Sequence, residues 1–210
     1  MKKLFVLQIS AFVLISGALG GMLVYTDVYD EVQSRIVEVL CLSCIKLDPK
    51  THLDFTFETA NGQPHSDFVL DNLTKGPVFL AFREDVCAAC DIMEPIIQEI
   101  FSVEYEKEDA VYKTVPFDNA DVTFIHINID HVSKEKRDSL FIYDKDHIKG
   151  VPMFTIITLG YDPDFIKPYY TTAYGTLGLD EDGDRKELLT NIILDAIELY
   201  NENRPGFIPD

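Results

Sequence analysis

Basic side chains are scarce in this sequence: 18 Lys and Arg stand against 36 Asp and Glu, a formal net charge of −18. A polyanionic duplex or an anionic lipid surface repels such a chain, so nucleic-acid binding is excluded as a leading function. Tryptophan is absent, and no internal repeat or low-complexity tract interrupts the chain, which excludes repeat and fibrous architectures. The five histidines, His52, His65, His126, His131 and His147, show no ligand spacing and read as surface or hydrogen-bonded strand residues. Asp180, Asp182 and Asp184 suggest a calcium loop at first sight. Gly183 is misplaced for one, however, and Asn191 stands where the twelfth-position Glu belongs, so this is an acidic loop that Asp182 or Asp184 turns into a helix cap.

What is present is enough for one core. Apolar residues make up 47% of 210 positions and aromatics 11%, which fits a folded domain plus a short N-terminal segment. Lys2 and Lys3 precede an uncharged run from Leu4 to Tyr25, 22 residues long. At about 1.5 Å per residue it matches a bilayer core of about 30 Å, whereas a secretory apolar region is about 7–15 residues. Residues 1–26 therefore read as a transmembrane anchor. Ala18-Leu19-Gly20 offers a cleavage site, so a removed signal segment is the alternative. Lysines before the span and Asp27, Asp30 and Glu31 after it place the bulk of the chain outside the cytoplasm, membrane-anchored or, if the segment is cleaved, secreted. Disulfides persist there.

Residues 27–50 read as an amphipathic juxtamembrane helix: Val28, Val32, Ile36, Val39 and Leu40 fall at helical spacing and Asp48-Pro49 ends it. The domain proper spans 51–202. Leu53, Phe55 and Phe57 alternate with polar residues up to Asn61-Gly62, predicting a strand and a tight turn. A short helix follows within Ser66–Thr74. The continuous run Val78–Phe82, bounded by Gly76-Pro77, predicts a strand buried on both faces. Helical spacing of Ile92, Met93, Ile96, Ile97, Ile100 and Phe101 comes next, then a polar stretch, 104–120, read as loop or short helix. Strands are expected at Val122–Ile129, Val151–Thr158 and Tyr170–Tyr174, with helices at Ser133–Tyr143 and Asp184–Tyr200. The order of elements gives an α/β fold with a mixed sheet flanked by helices, and residues 203–210 form a frayed tail. Asn72-Leu73-Thr74 is a glycosylation sequon.

The four cysteines form two C-x-x-C pairs, Cys41/Cys44 and Cys87/Cys90. Cys87 follows a buried strand and opens a helix. There the unpaired N–H groups and the positive end of the helix dipole favour a thiolate over a thiol, and the thiolate is the species that attacks a disulfide. Cys90, one turn further in, is placed to attack Cys87 and release a mixed disulfide. Arg83 favours a thiolate, and Glu84, Asp85 and Asp91 oppose it.

Cys87-Ala88-Ala89-Cys90, with Pro95 five residues later, Ile127-Asn128-Ile129-Asp130, Gly150-Val151-Pro152 and Gly175 together resemble the thioredoxin-like superfamily across roughly residues 68–200. The resemblance implies a thioredoxin-like fold, catalytic Cys87 and Cys90, a cis peptide before Pro152, and a substrate surface of Val86, Val151 and Pro152, where Val151 pairs with an extended substrate strand. It implies no organic cofactor and no metal. The expected partner is a protein carrying a disulfide or dithiol, with a membrane redox protein as a further partner. Two departures stand out: Val86 replaces the family's Trp, and Ala81 replaces its buried acid.

The implied function is an extracytoplasmic thiol–disulfide oxidoreductase. The length of Val103–Ala120 points to a specialised partner. For Cys41 and Cys44 three readings stay open: a structural disulfide, a second redox pair exchanging electrons with Cys87/Cys90, and half of a Cys₄ zinc site. The rival functions are correspondingly a non-enzymatic tethered binding or chaperone module with a structural disulfide, and a zinc scaffold.

Overall fold

The structure is a computed structural model that describes residues 55–107, 111–162 and 165–204. The expected anchor at 1–26, the helix at 27–50 with Cys41 and Cys44, His52, Leu53, and the tail from 205 onward lie outside the described residues. Among the described residues no helix is long and apolar enough to cross a membrane.

Among the described residues nine elements follow one another: α1 (Asp67–Leu73), β1 (Val78–Arg83), α2 (Ala88–Phe101), β2 (Tyr112–Phe117), β3 (Ala120–Asn128), α3 (Lys134–Tyr143), β4 (Met153–Asp162), β5 (Phe165–Tyr174) and α4 (Asp182–Asn203). The strands make one mixed sheet in the order β2-β3-β1-β4-β5. Only β1 and β3 run parallel, with Ala81 opposite His126; the other neighbours are antiparallel.

β1 is central and buried along its whole length, as a run of apolar residues with no wet face requires. Its alternate residues feed two cores. Phe79 and Ala81 join Phe124, Phe154 and Ile156 beneath α2 and α4, whose Met93, Ile96, Ile97, Phe101, Ile192, Ile193 and Ile197 close that face. Val78, Leu80 and Phe82 join Ile125, Ile127 and Ile157 beneath α1 and α3, which bring Val69, Leu73, Leu140 and Tyr143. Phe101 anchors the first core, its ring 4.9 Å from Phe79 and 4.7 Å from Phe124. Burying a side chain of this size contributes about 1.5–3 kcal/mol. Gly76 is required by a close approach: a Cβ there would overlap the Asp121 carbonyl oxygen.

Four expectations change. The polar stretch 104–120 carries β2, an antiparallel edge strand whose residues are exposed or half-buried. Its solvated surface hides the strand from an apolar-run reading, and it makes Tyr112–Phe117 part of the sheet. Second, of the strand expected around Phe55 the described residues show one bridge, Thr56 to Tyr170. Phe55 and Phe57 instead pack on the Tyr169 ring at 5.2 and 4.3 Å, and the turn at Gly62 (φ 69°) is present. Third, neither Asp182 nor Asp184 caps α4. The capping position is Glu181, with no side-chain bond, and Asp182 pairs with Arg185 at 2.5 Å. Finally, the sequon Asn72 is buried, its amide donating to the Phe68 carbonyl at 2.7 Å.

Candidate active site

β1 ends at Arg83, and four residues later the chain enters α2 with Cys87 as its N-terminal capping residue, in extended conformation. Cys87 and Cys90 are joined, with an S–S distance of 2.00 Å. The Cys90 N–H donates to the Cys87 sulfur at 3.1 Å, so the sulfur occupies the place that a Ser or Asp oxygen takes in an ordinary cap. The two sulfurs are not equivalent: Cys87 is 9% exposed and Cys90 2%. Asp91 continues the helix by donating its N–H to the Cys87 carbonyl at 3.1 Å, while Pro95 has no N–H to return to the Asp91 carbonyl.

The loop before β4 faces the disulfide. The Val151–Pro152 peptide is cis, as the resemblance implies. The Val151 carbonyl oxygen lies 3.7 Å from the Cys87 sulfur. In the disulfide that sulfur has no hydrogen, so this is a contact; in the dithiol the S–H has an acceptor there. Gly175, at φ 60° just past β5, donates its N–H to the Pro152 carbonyl at 2.9 Å and ties the loop to the sheet. Val86, beside Cys87, is 91% exposed. Thus the structure places Cys87, Cys90, Val151 and Pro152 together, with exposed Val86 preceding Cys87 in the chain.

The charges flanking the dithiol are paired among themselves. Buried Arg83 forks to Glu94 and to Asp91, the latter at 3.0 Å. Asp85 is held by the Asn128 amide at 2.8 Å and by His131 at 3.0 Å, while its own N–H donates to Asp130 at 2.8 Å. The Asn128 hydrogen bond, helped by His131, holds the Asp85 carboxyl below the usual carboxylate range. Arg83 is therefore a partner for carboxylates before it is a partner for sulfur. Glu94, which the charge reading from sequence omits, is its closest one.

Beneath Cys90 lies a small cavity with room for about 20 Å³ of water, lined by residues that include Ala81, Arg83, Glu94, Tyr105, His126 and Pro152. His126 and Tyr105 have no sequence signal of their own. They reach the site because β3 runs parallel to β1 and because the segment after α2 folds back, packing Tyr105 against the His126 ring at a tilt, centroids 4.4 Å apart. Burial holds the Tyr105 phenol well above its ordinary value. A second hollow, with room for about 190 Å³, opens beside Val151 between Glu84, Arg137, Phe141 and Lys149. Among the described residues no three His, Cys, Asp or Glu side chains cluster as a metal site, and Cys41 and Cys44 lie outside those residues.

No family model matches the chain, and no curated protein is similar to it at a significant level. What the fold and site define is a class: a mixed α/β sheet with flanking helices and a C-x-x-C disulfide at a helix N-terminus, compatible with a thioredoxin-like fold.

Proposed function

We propose that the chain is a thioredoxin-like thiol–disulfide oxidoreductase, tethered by residues 1–26 and working outside the cytoplasm on disulfides of partner proteins. The observation that carries the reading is Cys87 as the cap of α2, its sulfur accepting the Cys90 N–H at 3.1 Å. That donor and the helix dipole both favour negative charge on this sulfur over the other. The exposed Val86 and the Val151–Pro152 loop fit a surface on which a partner segment lies against Cys87.

The chemistry balances without a cofactor. The Cys87 thiolate attacks one sulfur of a partner disulfide, the partner S–S bond breaks, and one partner sulfur leaves as a thiolate. Cys90 then attacks the Cys87 sulfur, the mixed disulfide breaks, and the second partner sulfur leaves. Two thiols form on the partner and one disulfide on this chain. In the oxidising direction every step reverses.

The low exposure of both sulfurs favours one second reading, a binding module in which the disulfide is permanent. One experiment separates the two. The full chain is equilibrated in glutathione buffers of graded ratio, and Cys90→Ser is screened for covalent partner adducts. A reversible two-electron couple at Cys87/Cys90 and reductant-labile adducts through Cys87 support the oxidoreductase. A disulfide that no buffer opens, with no adducts, overturns it. Stoichiometric zinc on the reduced chain would overturn it in favour of the scaffold.

A further inference from the structure

Cys90 is 2% exposed, and a thiol must lose its proton before it can attack. The proton cannot leave directly into bulk water from such a position, so a group in the cavity wall must take it. The wall offers few. Arg83 on β1 carries a guanidinium that stays charged and has no acceptor. Glu94, on the same helix as Cys90, is held in its ion pair with Arg83. Tyr105, from the segment after α2, keeps its phenolic proton because burial raises it. Ala81, Phe82, Met93, Ile97, Pro152 and Phe154 have no side-chain base. His126 on β3 remains, 3% exposed, level with Ala81 across the parallel pair and on the same face of the sheet.

Resting on the oxidoreductase reading above, we infer that His126 is the proton acceptor for Cys90 in the step that resolves the mixed disulfide. The imidazole takes the Cys90 S–H proton, directly or through one water. The cavity's room of about 20 Å³ suffices for that, a single water needing about 10–15 Å³. The Cys90 thiolate attacks the Cys87 sulfur, the bond from Cys87 to the partner sulfur breaks, and the partner sulfur leaves with the electron pair. The imidazolium then returns its proton to solvent. The Tyr105 ring packs against the imidazole, centroids 4.4 Å apart and planes tilted by 36°. Imidazole suits the task because its neutral form carries a ring nitrogen that accepts a proton.

The test uses the reduced full chain carrying Cys41→Ser and Cys44→Ser, so that only Cys87 and Cys90 are counted. Its oxidant is dithiobis-nitrobenzoate, a disulfide whose released thiolate is coloured. The first equivalent released reports attack by Cys87, and the second reports resolution by Cys90. The second phase should accelerate with rising pH as the imidazole becomes free to accept the proton. His126→Gln should slow that phase about 10²-fold at neutral pH and erase the acceleration, leaving the first phase unchanged. A second phase with unaltered rate and profile in His126→Gln, or both phases slowed alike, overturns the inference. Should that variant not fold, the unsubstituted chain decides in heavy water: a second phase slowed more than the first supports proton transfer to His126, and equal slowing overturns it. Release of no second equivalent by the His126-containing chain overturns the oxidoreductase reading itself.

Discussion

The two faces of the sheet bury polar groups by different means. Under α2 the groups are charged: Arg83 is almost fully buried and forks to Asp91 and Glu94, with the rings of His126 and Tyr105 in contact close by. Under α1 and α3 the side-chain pairs are neutral, and the buried Asp144 carboxylate there is met by the backbone N–H groups of Ile148 and Lys149. The Thr155 and Thr172 hydroxyls meet at 2.9 Å, Thr172 donates to the Tyr143 carbonyl at 2.8 Å, and the Tyr143 hydroxyl lies 3.3 Å from the His65 ring. Neutral hydrogen bonds satisfy buried groups with little desolvation cost, whereas a buried ion pair is a poor stabiliser relative to an apolar substitute. The Arg83 fork sits at the end of the sheet where the disulfide is.

That contrast can be broken at its charged end first. Arg83→Ala should cost roughly 3–5 kcal/mol in urea unfolding, because it leaves Glu94 partly buried beside an emptied site. Arg83→Leu combined with Glu94→Leu should recover most of the loss. A double variant no better than the single one would mean that the charges hold the fold as well as the site.

The next effect belongs to His65. Burial pushes its imidazole down to about 4 from an ordinary 6.5. The folded chain keeps it neutral while the unfolded chain protonates it, so its contribution is full above pH 6.5 and is lost as pH falls toward 4. The loss should reach about 3 kcal/mol over that window. In His65→Phe this part of the pH dependence should vanish from unfolding curves measured across the same range. An unchanged slope would place the titration elsewhere.

Thr172→Val should have the smallest effect, about 1 kcal/mol, since one neutral hydroxyl is removed and Thr155 and the Tyr143 carbonyl lose a partner. Its cost should not vary with pH. A pH-dependent cost would tie the neutral face to the charged one and erase the distinction.

The sequence made the charged end legible in outline and hid its interior. Val78–Phe82 is apolar at every position, so a doubly buried strand is the reading that fits, and Cys87 at the following turn then falls at a helix start. Gly150-Val151-Pro152 reads through its proline. By contrast, His126 looks like any strand histidine until the register sets it beside Ala81 and across the cavity from Cys90. Arg83 reads as a cation near sulfur, yet its partners are fixed by α2 packing over β1. Strand β2 was missed because an edge strand shows water one side and does not need an apolar run. Packing creates all three facts, and none of them leaves a periodic trace.

The five-stranded sheet ends in two margins, and each is defended against joining another sheet. Along β5, Thr56 exchanges both backbone hydrogen bonds with Tyr170, so a single residue outside the sheet occupies part of that rim. Along β2, Pro116 withdraws one donor and Lys113 adds an exposed charge, the composition that discourages a stranger's strand from docking. Neither rim is thereby open along its whole length to an added strand.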